Sequence, residues 1–289
     1  MTDQAQNLRT MMKLNHTQTK IVVVASGKGG VGKSSLSLNL GIALSKRGRK
    51  ALIIDTDFGF SNIDVMLGVH TQHDLLDVIE GRKGVRDVIE TGIAGVQFIS
   101  GGSGMYELMK MAPGQLMDIL GSLVELEDVA DTIIFDTGAG LSDNAMRLIR
   151  ASHETILVTT PEPTAVVDAY ALLKMIHDQG DRPHISLVVN KVANAKEAAA
   201  VADGFVRIAE KNLNIRLNRL GHITRDVNMH NAIKMQVPIL VSFPRCVASA
   251  DINELALRYL NIPVRETNRP GLAGFLENFF SRNRAYRES

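Results

Sequence analysis

The sequence predicts an α/β fold built on a doubly wound, mainly parallel sheet. Strand-like apolar runs, helical periodicity between them, and a glycine loop joining the first strand to the first helix all point to it. The runs cover residues 21–25, 51–55, 96–100, 132–136, 155–160, 185–190 and 220–223. Several are rich in Val and Ile and apolar throughout, as parallel strands covered on both faces are. Helical stretches lie at 35–46, 113–125, 143–151, 164–178, 195–211 and 250–260. In the first of these, Leu36, Leu40, Ala43 and Leu44 share one face and Gly48 follows as a stop signal. The alternation fills residues 19–265 and reads as one domain. A polar segment, 1–18, precedes it, and 266–289 holds a separate helical signal.

Composition narrows the functional classes. The chain has 289 residues, 45% hydrophobic and 22% charged, which suffices for an ordinary core. A net charge of +1 argues against a strongly basic nucleic-acid binder. Cys246 is the single cysteine, so no disulfide framework forms within the chain. No apolar run approaches the ~18–20 residues that span a bilayer, and the polar start has no signal-peptide character. A soluble intracellular protein is expected.

The strongest chemistry lies in residues 27–34, Gly-Lys-Gly-Gly-Val-Gly-Lys-Ser, between an apolar strand and a helix. Glycines let the backbone curl so that successive N–H groups face phosphate oxygens, and the helix N-terminus adds positive charge. The expected nucleotide contacts are Gly29, Gly30, Val31, Gly32, Lys33, Ser34 and Ser35. Lys33 reaches the β- and γ-phosphates and Ser34 binds Mg2+. Gly27, Gly29 and Gly32 also fit the dinucleotide fingerprint, with Asp55 at a suitable distance for a ribose. Lys33-Ser34 directly after the last glycine decides against it. So does a second carboxylate strand, ending at Asp136, which supplies an acid near Mg2+.

Residues 28–34, with an additional lysine at Lys28, resemble the deviant Walker A motif of the MinD/ParA ATPases. The resemblance implies ATP and Mg2+ as ligands and an ATP-dependent homodimer in which Lys28 reaches the partner's nucleotide. A second cation at the γ-phosphate is physically sensible, since it acts as an arginine finger does. The family's Asp-x-Asp pattern is met by Asp55 and Asp57, with Asn62 five residues on. It gives Asp57 the task of orienting water, and Asp55 and Asp136 a place near Mg2+. An Asp at a strand end also serves as a turn or helix cap. The resemblance further implies that Asn190 pairs with adenine. It places Asn62, Glu162 and Asp168 at the dimer or partner edge, the last two in a segment that meets an activating partner, although Thr164 there also reads as a helix N-cap.

The ends of the chain suggest a setting. Leu272, Phe275, Leu276, Phe279 and Phe280 form an apolar stripe, flanked by Arg269, Arg282, Arg284 and Arg287. Such a helix can lie on an anionic membrane or pack on the sheet domain. The MinD-like resemblance implies the former: a cytoplasmic protein held peripherally at the inner membrane. Asp3, Gln4, Ala5, Leu8 and Arg9 resemble the N-terminal activating motif of the FlhG/FleN/YlxH branch, regulators of flagellar number. That implies an FlhF-like GTPase as partner, with a flagellar transcription regulator or basal-body component as further candidates. DNA partitioning of the ParA type is disfavoured by near-neutral charge and the amphipathic tail, and septum placement by the N-terminal heptad. His70 and His73 beside Asp74 read as a solvated helix start rather than a metal pair.

Overall fold

In a computed structural model, the structure describes residues 19–57, 62–101, 104, 107–108, 119, 121–140, 142–180, 184–261 and 271–281. The helix expected at 113–125 falls largely outside them, as do the N-terminal motif and the four flanking arginines. The described elements are β1 (Lys20–Ala25), α1 (Lys33–Ser45), β2 (Ala51–Asp55), α2 (Asn62–Leu67), α3 (Leu75–Ile79), β3 (Glu90–Thr91), β4 (Gln97–Ser100), β5 (Thr132–Asp136), α4 (Asp143–Ala151) and β6 (Glu154–Thr159). They continue with α5 (Pro163–Asp178), β7 (Ile185–Val192), α6 (Ala195–Leu213), β8 (Asn218–Thr224), α7 (Val227–Met235), α8 (Ile239–Ser242), α9 (Val247–Leu260) and α10 (Gly271–Ser281).

The eight strands pair in the order β3-β4-β2-β5-β1-β6-β7-β8. All pairs are parallel except the short β3 against β4. The continuous apolar runs follow from burial on both faces. Along β1, Ile21, Val23 and Ala25 join one core, while Val22 and Val24 join the other. On β2 and β5 the same alternation separates Leu52 and Ile54 from Ile53, and Ile133 and Phe135 from Ile134. Helices α1 and α9 pack on one face, and α4, α6 and α10 on the other.

Helix α10 is where the structure decides between two readings. Leu272, Phe275, Leu276, Phe279 and Phe280 are all buried, and Phe275 is fully so. The Phe275 ring stacks on Phe135 of β5 at 5.0 Å, and Phe279 meets Phe280 edge-on at 4.6 Å. Helix α10 therefore completes a core, and its stripe does not face outward as a membrane surface in this conformation. The apolar groove beneath it, lined in part by Ile54, Leu75 and Ile99, supplies the partner that hydrophobic periodicity alone leaves unnamed. No described helix is long and apolar enough to cross a membrane.

Candidate nucleotide site

Parallel strands deliver their C-terminal ends to one edge of the sheet, and β5 lies between β2 and β1. That order sets Asp136 beside Asp55 in register and next to the loop that leaves β1. The loop closes on Gly32, whose φ of 96° is left-handed and suits glycine, and α1 begins at Lys33. Gly27 lies against the backbone of α5, and a Cβ there would fall on the Asp168 carbonyl. Gly27→Ala is therefore expected to displace the loop or α5 and to weaken nucleotide binding at least tenfold, read by calorimetric titration with ADP. Unchanged affinity would show that this packing is dispensable.

Lys33 is buried and donates to Ser26 Oγ at 3.0 Å, while Ser26 Oγ donates to the Lys28 carbonyl at 2.8 Å. Burial pulls the Lys33 ammonium below its usual range, against the attraction of Asp136 and Asp57. Asp136 is wholly buried. Ser37 Oγ donates to its Oδ1 at 2.8 Å, and its Oδ2 finds no hydrogen-bond partner among the described residues. Burial pushes this carboxyl up to about 7, and Asp55 pushes the same way. The hydroxyls of Ser34 and Ser37 and the Lys33 ammonium oppose the rise. A buried, incompletely partnered carboxylate oxygen near a serine hydroxyl fits a hard cation such as Mg2+, which takes few protein ligands and keeps its waters.

Asp55 is engaged by backbone donors. Its Oδ1 accepts from the Asp57 N–H at 3.0 Å, and its Oδ2 from the N–H groups of Asn62 and Ile63 at 2.7 and 3.1 Å. It caps the entry to α2. Asn62, expected at a partner edge, donates from Nδ2 to Asp57 Oδ2 at 2.9 Å and so orients that carboxylate. Asp57 faces Gly138 in the loop after β5, where a Cβ would crowd its Oδ1.

Asn190 is engaged as well. Its Nδ2 donates to the Val31 carbonyl at 2.7 Å, and its Oδ1 accepts from the Lys191 N–H at 2.8 Å. The buried amide braces the glycine loop. Lys28, expected to act on a partner, is held within its own chain. Its Nζ lies 3.0 Å from Glu162 Oε2 and 2.7 Å from Thr164 Oγ1, at the start of α5. The hydrogen bond and charge of Lys28 hold the Glu162 carboxyl below its usual range. Thr164 is not the N-cap of α5. Glu162 occupies that position, without a side-chain capping bond. Asp168 joins the site through its carbonyl, which packs on Gly27.

At His70 and His73 the helix-start reading stands. Asp74 caps α3 in a reciprocal capping box with Asp77. Sequence reasoning missed Ser26, Ser37 and Lys191. Ser37 follows Ser34 by one helical turn, a spacing that would have revealed it. Ser26 and Lys191 join the site only through contacts that the fold creates.

A doubly wound sheet whose first strand runs into such a loop, beside a buried acid on the neighbouring strand, defines a P-loop nucleotide-binding protein. Residues 17–260 match the ParA family, described as NUBPL iron-transfer P-loop NTPase. Antiactivator FleN of Pseudomonas aeruginosa is 31% identical over 258 residues, covering 89% of this chain and 92% of its own. Flagellum site-determining protein YlxH of Helicobacter pylori is 31% identical over 292 residues, covering 96% and 98%. Among solved structures, a chain of the MinC:MinD cell division complex of Aquifex aeolicus superposes with a TM-score of 0.67 at 24% identity, covering 88% of this chain and 100% of that one. MinD of Pyrococcus horikoshii, complexed with Mg-ADP, gives 0.66 at 24% identity, covering 84% and 97%. The chain belongs to the ParA/MinD family of P-loop NTPases, in the branch of FleN and YlxH.

Proposed function

We propose that this protein is a slow, switch-like MinD-type ATPase that dimerises with ATP, visits the inner membrane and regulates the number or placement of flagella through partner proteins. The convergence of Lys28, Lys33, Asp57 and Asp136 on one sheet edge supports the ATPase reading. The flagellar reading rests on the similarity to FleN and YlxH over most of the chain. In this reading Lys33 and the loop N–H groups hold the phosphates, and Ser34 and Asp136 hold Mg2+. When bound, that ion would supply positive charge to offset that of the phosphates. Asp57, fixed by Asn62, orients the attacking water. Lys28 must leave Glu162 and Thr164 to reach a partner's nucleotide, so dimerisation frees the first turn of α5 for an activating protein such as an FlhF-like GTPase. Membrane residence requires α10 to leave its groove, and a pair of released helices binds more firmly than one.

Asp57→Ala is the direct test. Hydrolysis should fall about 10²-fold or more, the scale of a lost positioning group, while ATP binding survives. The variant should then accumulate as a dimer with ATP, read by light scattering, and alter flagellar number in cells. Normal turnover in Asp57→Ala would remove it from the catalytic step.

A further inference from the structure

Lys191 stands out because its backbone is unfavourable and its side chain is committed. Beside it, Asn190 pairs with Ile223 and Val192 pairs with Thr224, so Lys191 is the additional residue of a bulge in β7. Its φ is 58°, a left-handed conformation that is uncommon for a residue with a Cβ. Bulges of this kind beside functional sites re-aim side chains, and a strained residue there calls for an explanation from function. The Lys191 ammonium reaches back to the glycine loop and donates to the Gly30 carbonyl at 2.6 Å. Together with Asn190 on the Val31 carbonyl and Ser26 on the Lys28 carbonyl, it places a side-chain donor on three carbonyls of one short loop.

In a trans peptide the carbonyl and the following N–H point in opposite directions. Pinning the Gly30 oxygen therefore fixes where the Val31 N–H points, and pinning the Val31 oxygen fixes the Gly32 N–H. These are N–H groups that a phosphate would receive. Gly29 and Gly30 are exposed and free of packing restraint at Gly30, where a Cβ would meet nothing. Without an external tether this part of the loop samples many orientations, because glycine carries the largest conformational entropy.

We propose that Lys191 is a positioning residue for the nucleotide: from a left-handed bulge it holds the Gly30 carbonyl outward, so that the loop's N–H groups face the phosphates before ligand arrives. It acts on ground-state binding and not on the attacking water, so its loss should change KM and leave kcat. This rests on reading the glycine loop as the nucleotide site.

Lys191→Gly separates the two roles a lysine could have here. Glycine suits the left-handed backbone, so a thermal midpoint at or above that of the parent is expected, whereas a structural lysine would lower it. The Kd for ADP and the KM for ATP should both rise about tenfold, the lower end for a hydrogen bond from a charged group. The kcat should stay within about twofold, and Lys191→Arg should recover most of the loss. Measurements near 0.3 M salt keep general attraction between lysine and phosphate screened. Lys33→Ala serves as the reference. If Lys33→Ala loses binding while Lys191→Gly keeps parental Kd and KM, the inference is wrong and the nucleotide site stands. A fall in kcat at constant KM, or an arginine variant no better than glycine, also overturns it. If Lys33→Ala binds like the parent, the nucleotide site itself fails.

Discussion

Phe275→Ala is expected to lower the free energy of unfolding by about 3–5 kcal/mol, the usual cost of truncating a buried phenylalanine. The ring is fully buried and stacks on Phe135 of a central strand, in the same cluster as Phe279 and Phe280. The residual space around it is only ≈ 20 Å³, so the site has no slack to absorb the change before a cavity opens. In urea the midpoint should fall while the slope stays the same. A helix lying free at the surface would give a change within about 0.5 kcal/mol, and such a result would remove α10 from the core. The same packing bears on membrane association. Each of the five large side chains of α10 gains about 1.5–3 kcal/mol from burial. In the proposed membrane-bound state a bilayer would have to replace that, which a single short helix does poorly and a pair of helices does better.

All seven strands read from the sequence are present; β2, β5 and β6 are runs buried throughout, whereas β8 at the sheet edge is buried only in part. The strand that was missed, β3, is a two-residue antiparallel edge with no periodicity to detect. Helices α2, α3 and α8 were missed because four to six residues carry too little helical period to stand out, and the nine-residue α7 was missed as well. The glycine loop was legible because its chemistry is local, contained in consecutive residues between a strand and a helix. What surrounds it was not. Lys191 meets Gly30 across 161 positions, and Ser37 meets Asp136 across 99. The stripe of α10 was legible as a stripe, but periodicity specifies an apolar face and not the surface that covers it. The surroundings of two expected site residues were illegible for a related reason. Asn190 and Asp55 occupy the expected strand ends, yet nearby backbone groups of the loop and of α2 already claim their polar atoms.

Asp136→Asn should stabilise the nucleotide-free protein at pH 8 while abolishing Mg2+-dependent hydrolysis. Unfolded, an aspartate titrates near pH ~4, whereas in the fold burial and Asp55 push Asp136 up to about 7. Between those values the folded chain holds a proton that the unfolded chain has released. Stability therefore falls as pH rises through that window, and the deficit is complete above it. Each pKa unit is worth about 1.4 kcal/mol, so the parent should lose a few kcal/mol between pH 4 and pH 8. Asparagine keeps the shape and still accepts from Ser37, but it carries no charge to desolvate. Its unfolding free energy should not show that fall, so the variant and the parent converge near pH 4 and separate by pH 8. Mg2+ and nucleotide should narrow the gap by stabilising the parent alone, because a bound cation gives the buried carboxylate its missing partner. Hydrolysis by the variant should drop about 10²–10³-fold, as when one electrostatic contact to a transition state is removed. Parallel stability curves from pH 4 to pH 8 would show that the carboxylate is not strained. Retained Mg2+-dependent turnover would place the metal elsewhere. Both effects trace to one atom, the buried Oδ2, which finds no hydrogen-bond partner among the described residues and which the proposed Mg2+ site would use.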